Sequence, residues 1–295
     1  MLKEQTLSYT KHVVQRGPYH MYAREYPGED PAIVLMHGFP DTMHLYDRLL
    51  PWLSPSRRVV TFDFLGWGAS DKPAGYPYTA ANQMGDVDAV IEQLHLQQVV
   101  LVAHDASGPP AIDWALAHAD RVAALVLLNT YYGAMPTLRP PEAILLFSTP
   151  LVRNVARAVS QAFHNWLFRK MYWWQVGRFM SEAADREEFL PLLYRQFAAT
   201  PSTPTTQPAF FRLNEDLLFT VRDRTKRIPQ MNAFRPPVRI IFGASDPYLN
   251  VGVARRFHEL FPTSELFLLP GAYHYVQIDE PEQVAHLLLS TPQAA

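Results

Sequence analysis

The sequence predicts an α/β protein with a mostly parallel sheet of eight strands, helices on both faces of that sheet, and a helical insertion. Three observations lead to this fold class. Short apolar runs alternate with helical patterns along most of the 295 residues. These runs are apolar at nearly every position, which is typical of strands buried on both faces. The alternation is interrupted once, late in the chain, by a long stretch with helical patterns and no strand-like run.

The first two predicted strands form an antiparallel hairpin. Residues 9–17 and 19–26 have strand-like patterns and meet at the turn Gly17-Pro18. The six later strands are predicted at 32–38, 57–64, 98–104, 122–130, 238–245 and 265–271. Helices are predicted near 41–53, 79–95, 107–119, 250–261 and 281–289. Because helical segments separate these strands, we expect the strands to pair in parallel.

The interruption lies between the sixth and seventh strands. Helical patterns fill most of it, including the aromatic and basic segment 163–174 and the segment 186–197, and a Pro-rich loop follows at 201–208. We therefore predict a core domain formed by residues 1–132 and 236–295, and a helical cap formed by residues 133–235. The name "cap" is used below for residues 133–235.

The composition excludes several classes of function. The chain has no cysteine, so disulfides, thiolate metal ligands and a Cys nucleophile are excluded. The formal charge of -2 gives no reason to expect a nucleic acid partner. The N-terminus has no signal-peptide pattern and the apolar runs are too short to span a bilayer, so we expect a cytoplasmic monomer or homodimer with no membrane partner.

No metal or cofactor motif is present. The histidines are scattered without ligand spacing, and HExxH does not occur. The Gly-x-Gly of LGWGAS lacks the third glycine and the ribose-binding acid of a dinucleotide fingerprint. We therefore expect no metal, no NAD and no other cofactor.

The segment VVLVAHDASGPPAIDWALAH (99–118) carries the candidate nucleophile. A buried strand runs directly into a helix here, so the turn between them must be very tight and its flanks must be small. Asp105 lies at the apex, with Ala103 two residues before it and Ser107 two residues after it. Two alternatives remain open: Ser107 as an esterase nucleophile, and Asp105 as an ordinary N-cap of the following helix.

Five short motifs extend this pattern along the chain in a fixed order: HGFP (37–40), DFLGWGASDKP (63–73), AHDASG (103–108), GASDPY (243–248) and GAYHYVQIDEPEQVA (271–285). With these motifs the chain resembles the α/β-hydrolase superfamily, in the aspartate-nucleophile branch that holds epoxide hydrolases and haloalkane dehalogenases. The resemblance covers nearly the whole core and is looser in the cap. It implies an α/β-hydrolase fold with an inserted helical cap.

The resemblance also implies the partners of Asp105. The family places an acid after a late strand and a histidine after the last strand, and Asp246 and His274 stand at these positions. Some relatives take the acid from the end of the preceding strand, where this chain has Asn129 or Thr130. The backbone N–H groups of Phe39 and Ala106 are expected to form an oxyanion hole.

The chemistry implied by this set begins with a carboxylate that needs no activating base. An Asp of ordinary pKa, about 3.9, is ionised at neutral pH and can displace a leaving group from a saturated carbon. The product is an alkyl ester on Asp105. His274 then acts as general base on a water molecule, and Asp246 orients the imidazole.

The leaving group remains open in the sequence. Haloalkane dehalogenases of this branch usually carry Trp after the nucleophile and often Asn after the HG pair, where this chain has Ala106 and Phe39. Epoxide hydrolases use cap tyrosines as proton donors, but the segment 209–217 carries Phe210 and Phe211. Candidate proton donors or substrate contacts in the cap are His164, Tyr172 and Trp166.

We therefore rank hydrolysis of a small hydrophobic epoxide first and haloalkane dehalogenation second. An esterase or lactonase, or a non-catalytic protein that binds a small ligand, are further alternatives. The cap is rich in aromatic residues, which suits either an apolar pocket for a hydrophobic substrate or packing of the cap onto the core: Phe163, Trp166, Phe168, Tyr172, Trp173 and Trp174.

Overall fold

The computed structural model of the protein describes residues 7–150, 152–155, 158, 166–198 and 204–294. Its centre is one eight-stranded sheet with the strand order β1-β2-β4-β3-β5-β6-β7-β8. Strand β2 is antiparallel to β1 and β4, and all other neighbours are parallel. The strands are β1 (Thr10–Arg16), β2 (Tyr19–Tyr26), β3 (Glu29–Met36), β4 (Arg57–Phe62), β5 (Val99–Asp105), β6 (Val122–Thr130), β7 (Val238–Gly243) and β8 (Ser264–Leu269).

The predicted fold class is confirmed, including the hairpin and the position of the insertion between β6 and β7. The central strands β5, β6 and β7 are buried almost throughout because helices cover the sheet, which explains their continuous apolar runs. The helices of the core sequence are α1 (Leu50–Leu53), α2 (Ala80–Gln93), α3 (Gly108–Ala117), α8 (Val251–Leu260), α9 (Val276–Asp279) and α10 (Pro281–Leu289).

Two of these helices begin at residues whose side chains cap them. The hydroxyl of Thr79 accepts a hydrogen bond from the N–H of Asn82 at the start of α2. The side-chain oxygen of Asn250 accepts one from the N–H of Gly252 at the start of α8. Such caps satisfy backbone N–H groups that have no partner within the first turn of a helix.

The helix predicted over 41–53 is not continuous. A 3-10 turn covers Met43–Tyr46, and α1 is a single turn that begins next to Pro51. Proline has no N–H to donate and clashes with the preceding turn inside a helix. The segment can therefore start a helix at Pro51 but cannot carry one through it.

The cap sequence forms helices, and its described residues contain no strand. They are α4 (Glu142–Ser148), α5 (Trp166–Val176), α6 (Ala183–Tyr194) and α7 (Gln207–Thr225). Most of the predicted loop 201–208 lies before α7, and residues 163–165 and 199–203 lie outside the described residues. The division into a core domain and a cap domain stays a prediction.

A buried ion pair joins the cap sequence to the core. The guanidinium of Arg224, on α7, donates to Oδ2 of Asp113, on α3, from Nη2 at 2.8 Å and from Nε at 3.1 Å. The hydroxyl of Tyr132 donates to the other oxygen of Asp113 at 2.6 Å. Both charged side chains are 4% exposed, so their charges are compensated by each other rather than by solvent.

No helix in the described ranges combines the length and the apolar character needed to cross a membrane.

Candidate active site

Asp105 lies at the apex of a strained turn between β5 and α3. Its backbone φ is +48°, a value that residues other than glycine seldom adopt. The neighbouring backbone approaches closely: a Cβ on Gly38 would lie 2.6 Å from Cβ of Asp105, and a Cβ on Gly108 would lie 2.0 Å from Oγ1 of Thr130. Small residues around the apex are therefore a steric requirement of the turn.

Ser107 is not placed to act as a nucleophile. Its Oγ lies within hydrogen-bond distance of the carbonyl oxygens of Met36, at 2.9 Å, and His104, at 2.8 Å, and it accepts the N–H of His104 at 2.8 Å. The residue is 1% exposed. This hydroxyl ties the elbow to β3 and faces backbone atoms rather than a cavity.

The carboxylate of Asp105 is held by backbone N–H groups. The N–H of Phe39 donates to Oδ2 at 2.9 Å, and the N–H of Ala106 also hydrogen bonds to the carboxylate. The pKa of this carboxyl is not the ordinary value expected from the sequence. Burial raises the pKa of Asp105, against the opposing charge of His274 and the two N–H donors.

His274 and Asp246 form a buried pair. Nδ1 of His274 lies 2.8 Å from Oδ2 of Asp246. Oδ1 of Asp246 accepts the N–H groups of Tyr248 at 2.8 Å and Leu249 at 3.1 Å. The side-chain amide of Asn129 donates to Oδ2 at 2.9 Å. The carboxylate is therefore fully engaged, and it fixes which edge of the imidazole faces it.

The protonation of the pair follows from these contacts. Burial alone would lower the pKa of His274, but the charge and the hydrogen bond of Asp246 outweigh burial, and the pKa is raised. Burial alone would raise the pKa of Asp246, but His274, the N–H of Tyr248 and Asn129 together hold it below its ordinary value. The arrangement favours an imidazolium beside a carboxylate, and it makes His274 a stronger base.

Asp105 and His274 open onto the same cavity, which lies between the sheet edge and the cap helices. Its volume is about 310 Å³, and both side chains belong to its lining together with Phe39 and Ala106. Most of the remaining lining is apolar and comes from the cap, including Ile144, Phe168, Met171, Val176, Phe210, Leu213 and Leu217. A cavity of this kind suits a hydrophobic ligand with one reactive polar group.

The three cap candidates differ in their placement. Tyr172 lines the cavity and is 4% exposed, and its hydroxyl has no hydrogen-bond partner among the described residues. Trp166 is 59% exposed and is not part of the cavity lining, because it lies on the outer side of α5. Its indole therefore does not serve as a substrate contact there. His164 lies outside the described residues.

Asp41 is a buried carboxylate that the sequence reasoning missed. It follows HGFP directly and is fully buried, and its Oδ1 accepts the hydroxyl of Tyr275 at 2.8 Å. Its Oδ2 has no hydrogen-bond partner in the described part of the chain. Burial, helped by the nearby charge of Asp105, raises the pKa of Asp41 to about 7. The sequence did contain a signal for Asp41, because this charged residue directly follows HGFP, the motif whose Phe39 contacts Asp105.

Two further histidines are positioning residues. Nε2 of His104 lies 3.1 Å from the carbonyl oxygen of His274, and burial holds the pKa of His104 well below its ordinary value. His37 accepts the N–H of Phe64 on Nε2 at 3.2 Å, so its Nδ1 can donate to the carbonyl of Gly38 at 2.8 Å. Both rings therefore hold backbone segments that carry the site.

Other sequence expectations concern residues that do not face the cavity. The carboxylate of Asp63 accepts the N–H groups of Met43 and Ala69, each at 2.8 Å, so it holds two backbone segments together. Within the described ranges, no group of three or more His, Asp or Glu side chains is arranged to hold a metal ion.

A family model and related proteins of known sequence all point to the same family. A family model described as the alpha/beta hydrolase fold matches residues 31–281. The chain is 30% identical to the cis-3-alkyl-4-alkyloxetan-2-one decarboxylase of Shewanella oneidensis, over 94% of this chain and 86% of that protein. It is 25% identical to haloalkane dehalogenase 2 of Mycobacterium tuberculosis, over 93% of this chain and 91% of that protein.

Solved structures show the same fold. The haloalkane dehalogenase DbeA of Bradyrhizobium elkani superposes with a TM-score of 0.76 at 20% identity, covering 96% of this chain and 97% of that one. At this identity the likeness concerns the fold and not the reaction.

Proposed function

Because the chain belongs to the α/β hydrolase fold family, we propose that it is a hydrolase that forms an alkyl ester on Asp105, and that its substrate is a small hydrophobic epoxide. One observation carries the proposal. A carboxylate held by the N–H groups of Phe39 and Ala106 shares an apolar cavity with an imidazole that is paired to Asp246.

The first half of the reaction uses the oxygen of Asp105 that the N–H of Phe39 does not hold. Oδ1 attacks a ring carbon, the ring C–O bond breaks, and the ring oxygen leaves as an alkoxide. Tyr172 supplies a proton to that oxygen. The hydroxyl of Tyr172 is protonated at neutral pH, lines the cavity and has no hydrogen-bond partner among the described residues, so it can approach the ring oxygen. Burial raises the pKa of Tyr172, which disfavours the tyrosinate left after donation and favours return of its proton later in the cycle.

The second half hydrolyses the ester. His274 takes a proton from water, and the resulting hydroxide attacks Cγ of Asp105. The negative charge that develops on Oδ2 is stabilised by the N–H of Phe39, which already donates to this oxygen, and the N–H of Ala106 also donates to the carboxyl group. The Cγ–O bond to the substrate breaks, His274 returns its proton to the leaving oxygen, and the second water proton restores Tyr172. The product is a diol.

A second candidate reaction is favoured by the relative at 30% identity. That protein is named for decarboxylating cis-3-alkyl-4-alkyloxetan-2-ones. In this chain, Oδ1 of Asp105 would attack C4 of such a ring and release the ring oxygen as a carboxylate. Loss of CO₂ would form the alkene and expel the Asp105 carboxylate. This route needs no water, so His274 would not act as a base.

Haloalkane dehalogenation is the third candidate, and one relative is named for it. The positions of Phe39 and Ala106 are against it, because neither side chain can hydrogen bond to a departing halide. Ala106 has no polar side-chain atom, and the ring of Phe39 stacks on Phe210 with centroids 4.9 Å apart.

A substrate panel separates the three reactions. The wild type and a His274→Ala variant are incubated with an aliphatic epoxide, a haloalkane and a cis-dialkyl oxetan-2-one, and diol, halide and alkene are measured. We expect diol from the wild type, and from the variant a stable mass adduct on Asp105 with no turnover. Alkene from both proteins would select decarboxylation, and halide release would select dehalogenation. Absence of all products and of any adduct would contradict the proposal.

A further inference from the structure

The outer surface of the cap is unusually apolar. Most of the large apolar side chains that are exposed in the described residues belong to the cap. Trp166 and Trp174 on α5 are 59% and 50% exposed, and Phe219 on α7 is 66% exposed. Helix α4 contacts both of these helices and exposes apolar residues of its own. We call this set the outer cap surface: Leu145, Leu146, Trp166, Trp174, Leu218 and Phe219.

The same part of the chain is basic. The cap contains 14 Lys and Arg against 8 Asp and Glu, whereas the whole chain contains 26 against 28. Residues 143–181, which include most of α4 and all of α5, contain no Asp or Glu. Two cap acids, Asp185 and Glu188, are paired with Arg48 of the core sequence. The cap is therefore net positive on a protein whose core sequence is net negative.

Basic and aromatic side chains are paired on α5 and in the 3-10 turn directly after it. The guanidinium of Arg169 lies 4.8 Å from the ring centre of Trp173, and that of Arg178 lies 5.0 Å from the ring centre of Trp174. Lys170 is exposed between the two tryptophans of the outer cap surface, since residues 166, 170 and 174 follow the helical spacing of four. Exposed Trp beside Lys and Arg is the pattern of helices that lie in a membrane interface.

The cavity opens beside this surface. Leu218 belongs to the cavity lining and is 52% exposed, and Arg139 and Pro140 line the cavity and are also exposed. An apolar molecule dissolved in a lipid layer under the outer cap surface would therefore reach the mouth without crossing water.

We propose that the outer cap surface docks on an anionic lipid bilayer, with α4, α5 and α7 lying in the interface. Charge complementarity decides the occupant. A second copy would bring two copies of α5 together, whose charged residues Arg169 and Lys170 are both basic, which is electrostatically unfavourable, whereas an anionic leaflet attracts these residues while its interface accepts the tryptophans. The earlier expectation of no membrane partner rested on the shortness of the apolar runs, and docking on a surface requires no spanning segment.

Vesicle sedimentation tests the docking without any substrate. The full chain is mixed with vesicles of phosphatidylcholine alone or with an equal share of phosphatidylglycerol. We expect binding to the anionic vesicles at least about tenfold tighter than to the neutral ones, and weaker at about 0.5 M salt because screening shortens the range of the attraction. Equal binding to both vesicles, or binding to neither, overturns the proposal.

Matched variants locate the surface. The cap pair, Lys170→Glu with Phe219→Ser, reverses one charge and removes one exposed apolar side chain of the cap. The control pair, Lys11→Glu with Val13→Ser, makes the same changes on β1, where Val13 is 72% exposed. We expect about a tenfold loss of anionic-vesicle binding for the cap pair only. Equal loss for both pairs would overturn the proposal in favour of non-specific attraction. A wild type that is a dimer in ultracentrifugation, with a cap pair that is a monomer, would overturn it in favour of a second copy.

Docking and the proposed reaction can fail separately. Neither Lys170 nor Phe219 lines the cavity, so turnover of a water-soluble epoxide should be unchanged in the cap pair. Vesicle binding without turnover by the wild type would contradict the proposed function alone. Turnover without vesicle binding would contradict the docking alone.

Discussion

Asp246 is the residue whose removal should change both the rate and its pH dependence. In Asp246→Asn we expect kcat to fall roughly 10⁴-fold, as when the acid of a Ser-His-Asp triad is amidated. Asp246 raises the pKa of His274 in the wild type, and His274 must be neutral to act as a base. A plot of kcat against pH should therefore rise through the raised pKa of His274 in the wild type, and at a lower pH in the variant, where the pKa of His274 is lower.

Asn129 provides the matched test for that carboxylate. Its amide lies 2.9 Å from Oδ2 of Asp246, at the end of the strand next to β5. We expect Asn129→Asp to restore about tenfold of the lost rate when added to Asp246→Asn, since a carboxylate returns to the same edge of the imidazole. If the double variant is no faster than Asp246→Asn, the pairing of His274 with this carboxylate does not limit the reaction.

Asp41 should make the stability of the protein fall as the pH rises. Its pKa is about 7 in the folded chain and about 3.8 in the unfolded chain. Between pH 3.8 and pH 7 the folded state therefore binds more protons than the unfolded state. Stability is therefore lost from about pH 4 to 7, by up to a few kcal/mol, and does not return above pH 7. In Asp41→Asn this loss should be absent.

Urea unfolding at pH 5 and pH 8 measures this effect. Relative to wild type, Asp41→Asn should gain stability at pH 8 compared with pH 5. Asp120→Asn, on the surface, is the control for introducing an amide. A constant difference between Asp41→Asn and wild type at both pH values would show that Asp41 does not titrate in this range.

At the scale of elements, the loop after β3 is packed directly against the elbow after β5. A methyl group at Gly38 would lie 2.6 Å from Cβ of Asp105 and 3.0 Å from its Oδ2. We expect Gly38→Ala to displace the N–H of Phe39 and to lower kcat by about 10²-fold, the effect of losing one oxyanion donor. Gly271→Ala is the control, because a Cβ at Gly271 would lie 3.7 Å from its nearest neighbour, Oε1 of Glu280, an ordinary contact distance. Equal activity of the two variants would contradict the predicted role of this loop.

The elements that were predicted best are those with an uninterrupted pattern. The sequence predicts β6 at 122–130, and the strand is Val122–Thr130. Every residue of it is buried, so its apolar run, which reaches Leu128, covers most of the strand. The segment at 41–53 was predicted worst. Its apolar spacing resembles a helix, but Pro51 restricts the helix to a single turn, and a pattern of apolar residues does not register that restriction.

That the three candidate catalytic residues lie at one edge of the sheet could be predicted for a similar reason. Asp105 is the last residue of β5, and Asp246 and His274 follow β7 and β8. The carboxyl ends of parallel strands meet at one edge of the sheet. Asp41 and the placement of Trp166 could not be predicted. Asp41 is buried by contacts with Tyr275, far along the chain, and the outward orientation of Trp166 depends on how α5 rests on the other cap helices.

At the scale of the whole molecule, the Arg224–Asp113 pair should contribute to the attachment of the cap helices. In Arg224→Met the carboxylate of Asp113 stays buried and keeps the hydroxyl of Tyr132 at 2.6 Å and the more distant guanidinium of Arg227 at 3.8 Å. We expect a loss of about 3 kcal/mol in the free energy of unfolding, because a buried charge loses its nearest charged partner. Arg222 is exposed on the same helix, so Arg222→Met should lose much less unfolding free energy. Thermal unfolding of both variants and the wild type measures the difference.

A partner substitution distinguishes the ion pair from side-chain volume. Asp113→Asn added to Arg224→Met should recover part of the lost stability, since the buried charge is then removed. If the double variant is less stable than Arg224→Met by the full effect of Asp113→Asn alone, the two residues act independently.

The proposed reaction depends on a covalent bond between substrate and Asp105, and isotope transfer tests that bond directly. An excess of enzyme is allowed one turnover of an epoxide in H₂¹⁸O, and the diol and the peptide containing Asp105 are analysed by mass spectrometry. Because water attacks Cγ of Asp105, the account predicts an unlabelled diol and one ¹⁸O in the carboxylate of Asp105. A labelled diol with an unlabelled Asp105 would show that water attacks the substrate directly, and would contradict it.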